Sequence, residues 1–249
     1  MANWNEPQRT ERQGFGSASV PRTGDAAGRV TFDAGLRKHM LSIYNYMTSG
    51  VLLTGVVALL TAQSGLAASF ASGPLMWLVA LSPLAIVFAM SFGANRFSTG
   101  TLQIMFWAFA VLMGLSLSTI FLVYTGSSIA ATFFATAGAF AGLSLFGYTT
   151  KKDLSAMGTF LVMGVIGLLI AMVINMFLQS SGLDLAISFI GVLIFAGLTA
   201  YDTQRLKREY MAVQGTQWAG KSIIMGALTL YLDFINMFLF LLRFMGSRE

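Results

Sequence analysis

Residues 222–243 read SIIMGALTLYLDFINMFLFLLR, an apolar run long enough to cross a bilayer, with an aspartate, Asp233, well inside it. A transmembrane helix needs about 20 predominantly apolar residues. A carboxyl group inside such a helix is costly in lipid, so it must face protein or water. The stretch therefore predicts a membrane helix that lies inside a bundle of other helices.

Six further apolar runs precede this stretch, near 46–68, 75–94, 101–124, 128–148, 157–178 and 184–204. Hydrophobic residues make up 56% of the chain and charged residues 10%, whereas soluble domains carry about a quarter charged residues. We predict an all-α, polytopic membrane protein with seven transmembrane helices. Small residues within the spans are interpreted as helix-packing positions, for example Gly138, Gly142, Gly191 and Gly197.

Basic residues collect at one end of the predicted spans. Arg37 and Lys38 precede the first span, while the loops after the first and third spans carry no charge. The loops after the even-numbered spans hold Arg96, Lys151, Lys152, Arg205, Lys207, Arg208 and Lys221. Because Lys and Arg stay on the cytoplasmic side, we predict a multi-pass protein of the inner (plasma) membrane. Its N-terminus is then cytoplasmic and its C-terminus outside, which leaves Arg243 and Arg248 on the outer side.

The N-terminal region differs in composition from the rest. Its first 35 residues are polar, rich in Gly, Ser, Arg and Asp, and without apolar periodicity, which is typical of disordered segments. We predict a disordered cytoplasmic tail over 1–38 and a seven-helix transmembrane domain over 39–249. The start of the chain lacks a basic patch followed by an apolar core, so we expect no cleavable signal peptide.

Several kinds of chemistry are excluded by composition. The chain has no cysteine, which excludes disulfides, thiolate catalysis and thiolate metal sites. Its single histidine, His39, lies ahead of the first apolar run. No histidine can therefore serve within the spans as a proton relay or metal ligand, nor as the base of an intramembrane serine protease. We expect no cofactor.

Asp202, near the inner end of the sixth span, and Asp233 are the candidate pH-sensing and gating residues. A carboxylate near the bilayer centre costs about 2.5–3.5 kcal/mol, and two adjacent carboxylates repel each other when both ionise. The sixth and seventh spans are consecutive and antiparallel, and the depths of the two residues match if the seventh helix begins in the cytoplasm. We expect the pair to titrate as a unit near physiological pH.

Other polar residues are candidates for supporting roles. Thr229 and Asn236 share a stripe of the seventh helix with Asp233, since residues three or four apart lie on one face. Tyr201 adjoins the sixth-span aspartate. Arg96, at the end of the second span, is either a counter-ion for Asp202 or a plain topology residue. For the aspartates, the alternative is a structural role as permanently protonated hydrogen-bond donors.

Four stretches carry a resemblance to a known family. They are YDTQ at 201–204, LYLDFINMFLFLLRFMG at 230–246, GLSLS at 114–118 and GYTTKKDL at 147–154. From about residue 40 to its end, the chain resembles the Bax inhibitor-1 family in its bacterial branch. The two segments that hold the aspartates are the most specific part of this resemblance.

The resemblance implies a fold in which the seventh helix is enclosed by two layers of three helices, and a pH-sensitive calcium leak. It also implies that the aspartates of the sixth and seventh helices, here Asp202 and Asp233, bond to each other. A basic residue of the second helix, here Arg96, is implied to latch the pair. Some bacterial relatives bind a membrane-bound AAA protease, which the resemblance offers as a partner.

Three hypotheses follow. The first is a calcium or cation leak gated by Asp202 and Asp233, which would bind calcium weakly and transiently as a permeant ion, because two carboxylates are few ligands for Ca²⁺. The second is a non-transporting regulator that binds a membrane AAA protease or another membrane partner, with the N-terminal tail as docking element. The third, an intramembrane aspartyl protease, is disfavoured because residues 230–233 read LYLD rather than Gly-x-Gly-Asp. We predict a non-enzymatic protein whose partners are lipid, protons and calcium, without nucleic acid.

Overall fold

The computed structural model describes residues 23–71 and 73–247, with side chains from residue 34 onward. Two units are distinguished, Met1–Gly35 and Leu36–Glu249. The described residues are helical with short connections and contain no strand, which confirms the predicted all-α class.

Eight α-helices form the described part of the chain. Seven of them, all except the second, are long and apolar enough to cross a membrane, so the predicted number of spans is confirmed. A short 3₁₀ turn, Ser118–Leu122, continues the fourth helix. The helices are α1 (Thr23–Gln63), α2 (Leu66–Phe70), α3 (Gly73–Gly93), α4 (Thr99–Leu117), α5 (Gly126–Thr149), α6 (Ser155–Leu178), α7 (Ser181–Val213) and α8 (Trp218–Met245).

The predicted tail is only partly covered by the structure. Residues 1–22 lie outside the described residues, so disorder over that range stays a prediction. Helix α1 begins at Thr23, and residues 23–38 therefore differ from the expectation of a disordered segment. The domain boundary at 38/39 stays a prediction, as does a regulatory role in which the tail docks onto an AAA protease.

Local sequence signals set several helix ends. Ser98, Thr125 and Ser180 each stand before a helix and accept a hydrogen bond from the backbone N–H three residues on, as N-cap residues do. The first span ends earlier than the predicted residue 68, because Gly65 adopts φ 79° and separates Gln63 from the short helix α2. That left-handed conformation is one that glycine adopts at little steric cost.

Helix α8 is the most enclosed of the spans. In its most apolar window, 67% of the residues are buried, against 44% for α7 and less for the others. It packs against α4, α5 and α7, and it reaches α1 through a hydrogen bond between Tyr231 and Thr54. This central position agrees with the polar stripe predicted on the helix. The arrangement of the remaining spans in two layers of three stays a prediction.

Glycines allow close helix contacts at some positions and not at others. A Cβ added at Gly191 would lie 2.6 Å from the Phe240 ring, and one at Gly197 would lie 2.7 Å from Leu161, as expected of packing positions. Gly138 and Gly142 have no atom within 4 Å of such a Cβ, so the packing role predicted for them is wrong within the described chain. The close glycine contact of α5 is instead made by Gly147.

We expect Gly147→Ala to destabilise the protein. Its Cβ would lie 2.2 Å from the backbone oxygen of Ala200, and α7 can relieve that overlap only by moving its backbone. Overpacking of this kind costs about 1–3 kcal/mol. The free energy of unfolding in mixed micelles measures the effect, with Gly142→Ala on the same helix as the matched control. Equal stabilities of the two variants would contradict the prediction.

Candidate functional site

The site is formed where α7 and α8 cross. Helix α7 continues to Val213, beyond the predicted end at residue 204, and α8 begins at Trp218, before the predicted start at residue 222. Both helices are therefore longer than the lipid-spanning runs at the end that carries the basic residues. This extension brings Asp202 and Asp233 to the same depth along the helix bundle. The sequence predicts that the two carboxyls can meet only under this condition.

Asp202 and Asp233 are both buried, each 5% exposed, and their carboxyl groups are close enough to interact directly. Asp202 Oδ1 and Asp233 Oδ2 accept no hydrogen bond from any described residue. Buried oxygen atoms of this kind are costly when unpaired. Since two adjacent carboxylates repel each other when both ionise, this arrangement favours one proton shared between the two carboxyls.

Arg205 provides the positive charge at the pair. Its Nη2 atom lies 3.0 Å from Asp202 Oδ1, an ion pair whose angle is not that of a hydrogen bond. The Arg205 side chain is 44% exposed, while the aspartate side chain is 7% exposed. Because Asp202 faces the guanidinium, we assign the negative charge to Asp202 and the shared proton to Asp233, whose O–H then donates to the Asp202 carboxylate.

The predicted supporting residues do not bond to the aspartates. Thr229 donates to the Met225 carbonyl and Asn236 donates to the Leu232 carbonyl, both on their own helix. Tyr201 places its ring against α6 at Gly158, where a Cβ would lie 2.3 Å from the ring. The guanidinium carbon of the neighbouring Arg205 lies 5.8 Å from the centroid of the same ring.

Arg96 lies in the loop between α3 and α4, at the end of the bundle that holds the other basic loops. In the described part of the chain, no ion pair within 4.0 Å joins Arg96 to either aspartate; the ion pair is made by Arg205. The latch role of Arg96 therefore stays a prediction. The spacing of Asp202 and Arg205, three residues apart on one helix, was the signal for this contact.

Gln204, which the sequence did not single out as a site residue, ties α7 to the loop before α6. Its Oε1 accepts from the Leu154 backbone N–H at 2.9 Å, and its Nε2 donates to the Lys152 carbonyl at 2.8 Å. Lys207 Nζ adds a bond of 2.9 Å to the Tyr148 carbonyl. The residues that follow Asp202 thus hold the loop between α5 and α6.

Asp153 completes this connection outside the spans. Hydrogen bonds from the Ser155 side chain, the Arg208 guanidinium and the Ser155 backbone lower the pKa of Asp153 to about 2 from its usual 3.8. The Arg208 bond measures 2.6 Å. Since the folded pKa is the lower one, the contact stabilises the fold above pH 3.8 and loses its contribution as the pH falls toward 2.

We expect Asp153→Asn to lower the thermal unfolding midpoint at neutral pH by a small amount, because the ion pair is exposed. The difference from the wild type should shrink as the pH falls from about 4 toward 2, where the wild-type carboxyl also loses its charge. Thermal unfolding of the purified protein over a pH series measures this. Lys151→Gln, in the same loop, is the control, and a difference that stays constant through the acid range would refute the prediction.

A second set of polar contacts links three helices. Tyr44 of α1 lies 2.6 Å from Ser144 of α5, and Ser144 lies 2.9 Å from Thr203 of α7, measured between hydroxyl oxygens. Thr203 is the neighbour of Asp202 in the chain. These linked hydroxyl groups could not be predicted from the sequence, because they are far apart in the chain and such residues are common in membrane helices.

The described residues contain no cluster of three or more His, Cys, Asp or Glu side chains that could hold a metal ion. The two carboxyls of the pair would offer oxygen atoms to a cation. Calcium prefers six to eight oxygen ligands, so two carboxylates favour passing contact with a cation over tight binding.

Seven apolar helices and a buried carboxyl pair define a multi-pass membrane protein with an ionisable centre. The family model described as "Inhibitor of apoptosis-promoting Bax1" matches residues 36–249. The chain therefore belongs to the Bax inhibitor-1 family, as its resemblance predicted.

Three relatives illustrate the similarity. Protein RP147 of Rickettsia prowazekii is 47% identical over 88% of this chain and 93% of its own length. Inner membrane protein YbhL of Escherichia coli K12 is 46% identical over 87% and 94%, and protein YrjE of Lactococcus lactis is 42% identical over 87% and 95%. The name of YbhL and the seven spans support a multi-pass inner membrane protein. None of these three names describes an enzyme, and the sidedness of the termini stays a prediction.

Proposed function

We propose that this protein is a pH-sensitive cation leak, with calcium as the permeant ion, and that the pair formed by Asp202 and Asp233 gates it. The observation that carries the proposal is the burial of the two carboxyls next to each other at the contact of α7 and α8. While the pair shares a proton, a hydrogen bond between the carboxyls draws the two helices together. When both carboxyls ionise, like-charge repulsion pushes the same helices apart.

The charges around the pair are few. The groups that act electrostatically on it are the two carboxyls themselves and Arg205 of α7, and Glu209, one turn further along α7, lies in the field of the same arginine. The described parts of α1, α4 and α5 contribute hydroxyl groups and rings near the core of α8 but no further charge to the pair. A single proton therefore changes the charge balance of the site substantially.

Movement of α7 relative to α8 would be transmitted to the basic end of the bundle. Helix α7 holds the loop between α5 and α6 through Gln204 and Lys207. Helix α8 holds the loop between α3 and α4, because Lys221 Nζ donates to the carbonyls of Ala94 and Asn95 at 3.0 and 3.4 Å. Separation of the two helices would move both loops, which supports a gate at this end.

Contacts at the opposite end of the bundle also support a gate at the basic end. Asp184, near the start of α7, forms an ion pair with Arg243, near the end of α8, and this contact keeps the two helices joined there. Repulsion between Asp202 and Asp233 would then open α7 from α8 mainly at the basic end. The ion pair also accounts for Arg243, a basic residue at the end where the sequence predicted few.

The test is calcium flux into proteoliposomes that contain the purified full-length chain and a trapped calcium indicator, over a pH series from about 5 to 8. Protein-free vesicles of the same lipid give the background. We expect flux above background that changes with pH, following the titration of the pair. Flux equal to that of protein-free vesicles at every pH would overturn the proposal.

A further inference from the structure

A lateral groove runs between α1 and α5, with Phe234 of α8 among its lining residues. Its main cavity has a volume of about 670 Å³. A second cavity of about 470 Å³ continues it toward the end of α1, and both are lined by Val51, Leu52, Phe133 and Phe234. The two cavities thus form one groove along the length of the first span.

The walls of the groove face the lipid and are apolar. Leu41, Leu52 and Leu145 line it and are 50%, 57% and 63% exposed. The polar bond between Tyr44 and Ser144, at 2.6 Å, joins α1 to α5 inside the main cavity. This bond fixes the distance between the two walls, so the groove is formed before anything enters it.

The mouth of the groove is basic. Arg37 lines it and is exposed. Tyr148 lies on the facing wall. Lys207 Nζ lies 4.9 Å from the centroid of the Tyr148 ring and donates to the Tyr148 carbonyl. Positive charge therefore lies at one end of a groove that is largely apolar, where a membrane-embedded ligand would place an anionic head group.

The main cavity is long enough for one lipid acyl chain. From Arg37 to Leu52, the part of α1 that lines this cavity rises about 23 Å at 1.5 Å per residue, and one acyl chain crosses about half of the hydrocarbon thickness of about 30 Å. We propose that the groove binds an anionic phospholipid, with its phosphate at Arg37 and one acyl chain between α1 and α5. Free phosphate would leave the apolar length of the groove unused, so the lipid is the occupant to which the geometry points.

The test uses the purified full-length protein and phosphatidylglycerol that carries a photoreactive diazirine in its acyl chain. Phosphatidylcholine with the same acyl chain is the comparison lipid. We expect stronger labelling by phosphatidylglycerol, on peptides that contain the groove residues of α1 and α5. Equal labelling by the two lipids, or labelling that is spread over all spans, would overturn the proposal.

Two pairs of variants sharpen the result. Arg37→Gln should reduce phosphatidylglycerol labelling about fivefold, the effect of one basic residue near an anionic lipid, while Lys38→Gln, the adjacent charge outside the groove lining, should not. Ala141→Trp should block the acyl chain, while Ala139→Trp, on the same helix but outside the lining, should not. Wild-type labelling of Arg37→Gln and Ala141→Trp would contradict the lipid site.

A second copy of the chain is the competing occupant of the groove. Because the chain contains no cysteine, Ala141→Cys provides a single thiol at the groove wall. We expect this variant to remain monomeric under oxidation in lipid. Efficient formation of a disulfide-linked dimer, together with weak labelling of the wild type by phosphatidylglycerol, would show that the groove is an interface between copies and would overturn the proposal.

Discussion

Replacing Asp233 by asparagine is expected to abolish the pH dependence of calcium flux. In the wild type, release of one proton from the pair can change the population of the open form by up to about tenfold per pH unit. The asparagine amide can still donate to the Asp202 carboxylate, as the shared proton does, but it cannot ionise. The pair should then stay bridged at every pH, and the flux should keep the level of the bridged form.

The matched control for this prediction is Thr229→Val. Thr229 lies on α8, four residues from Asp233, and its hydroxyl donates to the Met225 carbonyl of its own helix. This control loses a polar group from the same helix and keeps both carboxyls, so its flux should keep the wild-type pH dependence. Flux through a folded Asp233→Asn protein that varies with pH as in the wild type would refute the gating role of the pair.

Asp202→Asn is expected to flatten the pH profile as well, because repulsion between two ionised carboxyls again cannot develop. Arg205 would lose its anionic partner in this variant, whereas in Asp233→Asn the ion pair of 3.0 Å is kept. Thermal unfolding of both variants should therefore show the larger destabilisation for Asp202→Asn. If the two aspartates were equivalent, the two variants would be destabilised equally. A larger destabilisation for Asp202→Asn shows that only Asp202 has a counter-ion.

The number of spans and the location of the carboxyl pair could be predicted from the sequence, for a simple physical reason. Lipid cannot satisfy backbone groups, so apolar runs of sufficient length must be helices. An acid within such a run must find a partner, and the sequence offered one acid well inside a span and one near the end of the neighbouring span. Those two, Asp202 and Asp233, do meet in the structure.

The charge that neutralises the pair could not be predicted with the same certainty. Arg96 and Arg205 both lie at the basic end of the bundle, and only the course of the helices decides between them. Helix α7 continues past the apolar run, which keeps Arg205 on the same face as Asp202 and within ion-pair distance. An apolar pattern does not report this extension, because the last turns of α7 are polar.

Glycine contacts show a similar limit. Gly138 and Gly147 lie on the same helix and look alike in sequence, but only Gly147 meets the backbone of another helix. Which face of a membrane helix meets protein and which meets lipid depends on its neighbours, since both surroundings are apolar. Hydrophobic periodicity, which separates core from surface in water, therefore carries little information about facing within a membrane.

Tyr231→Ala is expected to cause the largest loss of stability among the substitutions considered. Tyr231 is completely buried at the centre of α8, and its ring centroid lies 4.9 Å from that of Phe109 and 6.2 Å from that of Phe106. Its hydroxyl lies 2.6 Å from Thr54 Oγ1 on α1. Removal of a buried aromatic side chain costs about 3–5 kcal/mol, and lipid cannot easily fill the cavity because the side chain has no exposed surface.

Two further substitutions serve as comparisons. One removes only the hydroxyl group of Tyr231, and the other removes an aromatic ring from a different position on α8. Tyr231→Phe keeps the aromatic contacts, and Thr54 keeps its 2.8 Å bond to the Ala110 carbonyl, so we expect a loss of about 1 kcal/mol, the value of one hydrogen bond. Phe244→Ala, on the same helix but 43% exposed, should change the free energy of unfolding by less than about 0.5 kcal/mol. Denaturation in mixed micelles measures all three. Phe244→Ala should cost little, because a side chain that faces lipid makes few contacts with other helices. If it lowers the free energy of unfolding as much as Tyr231→Ala does, the centre of α8 does not hold the bundle together.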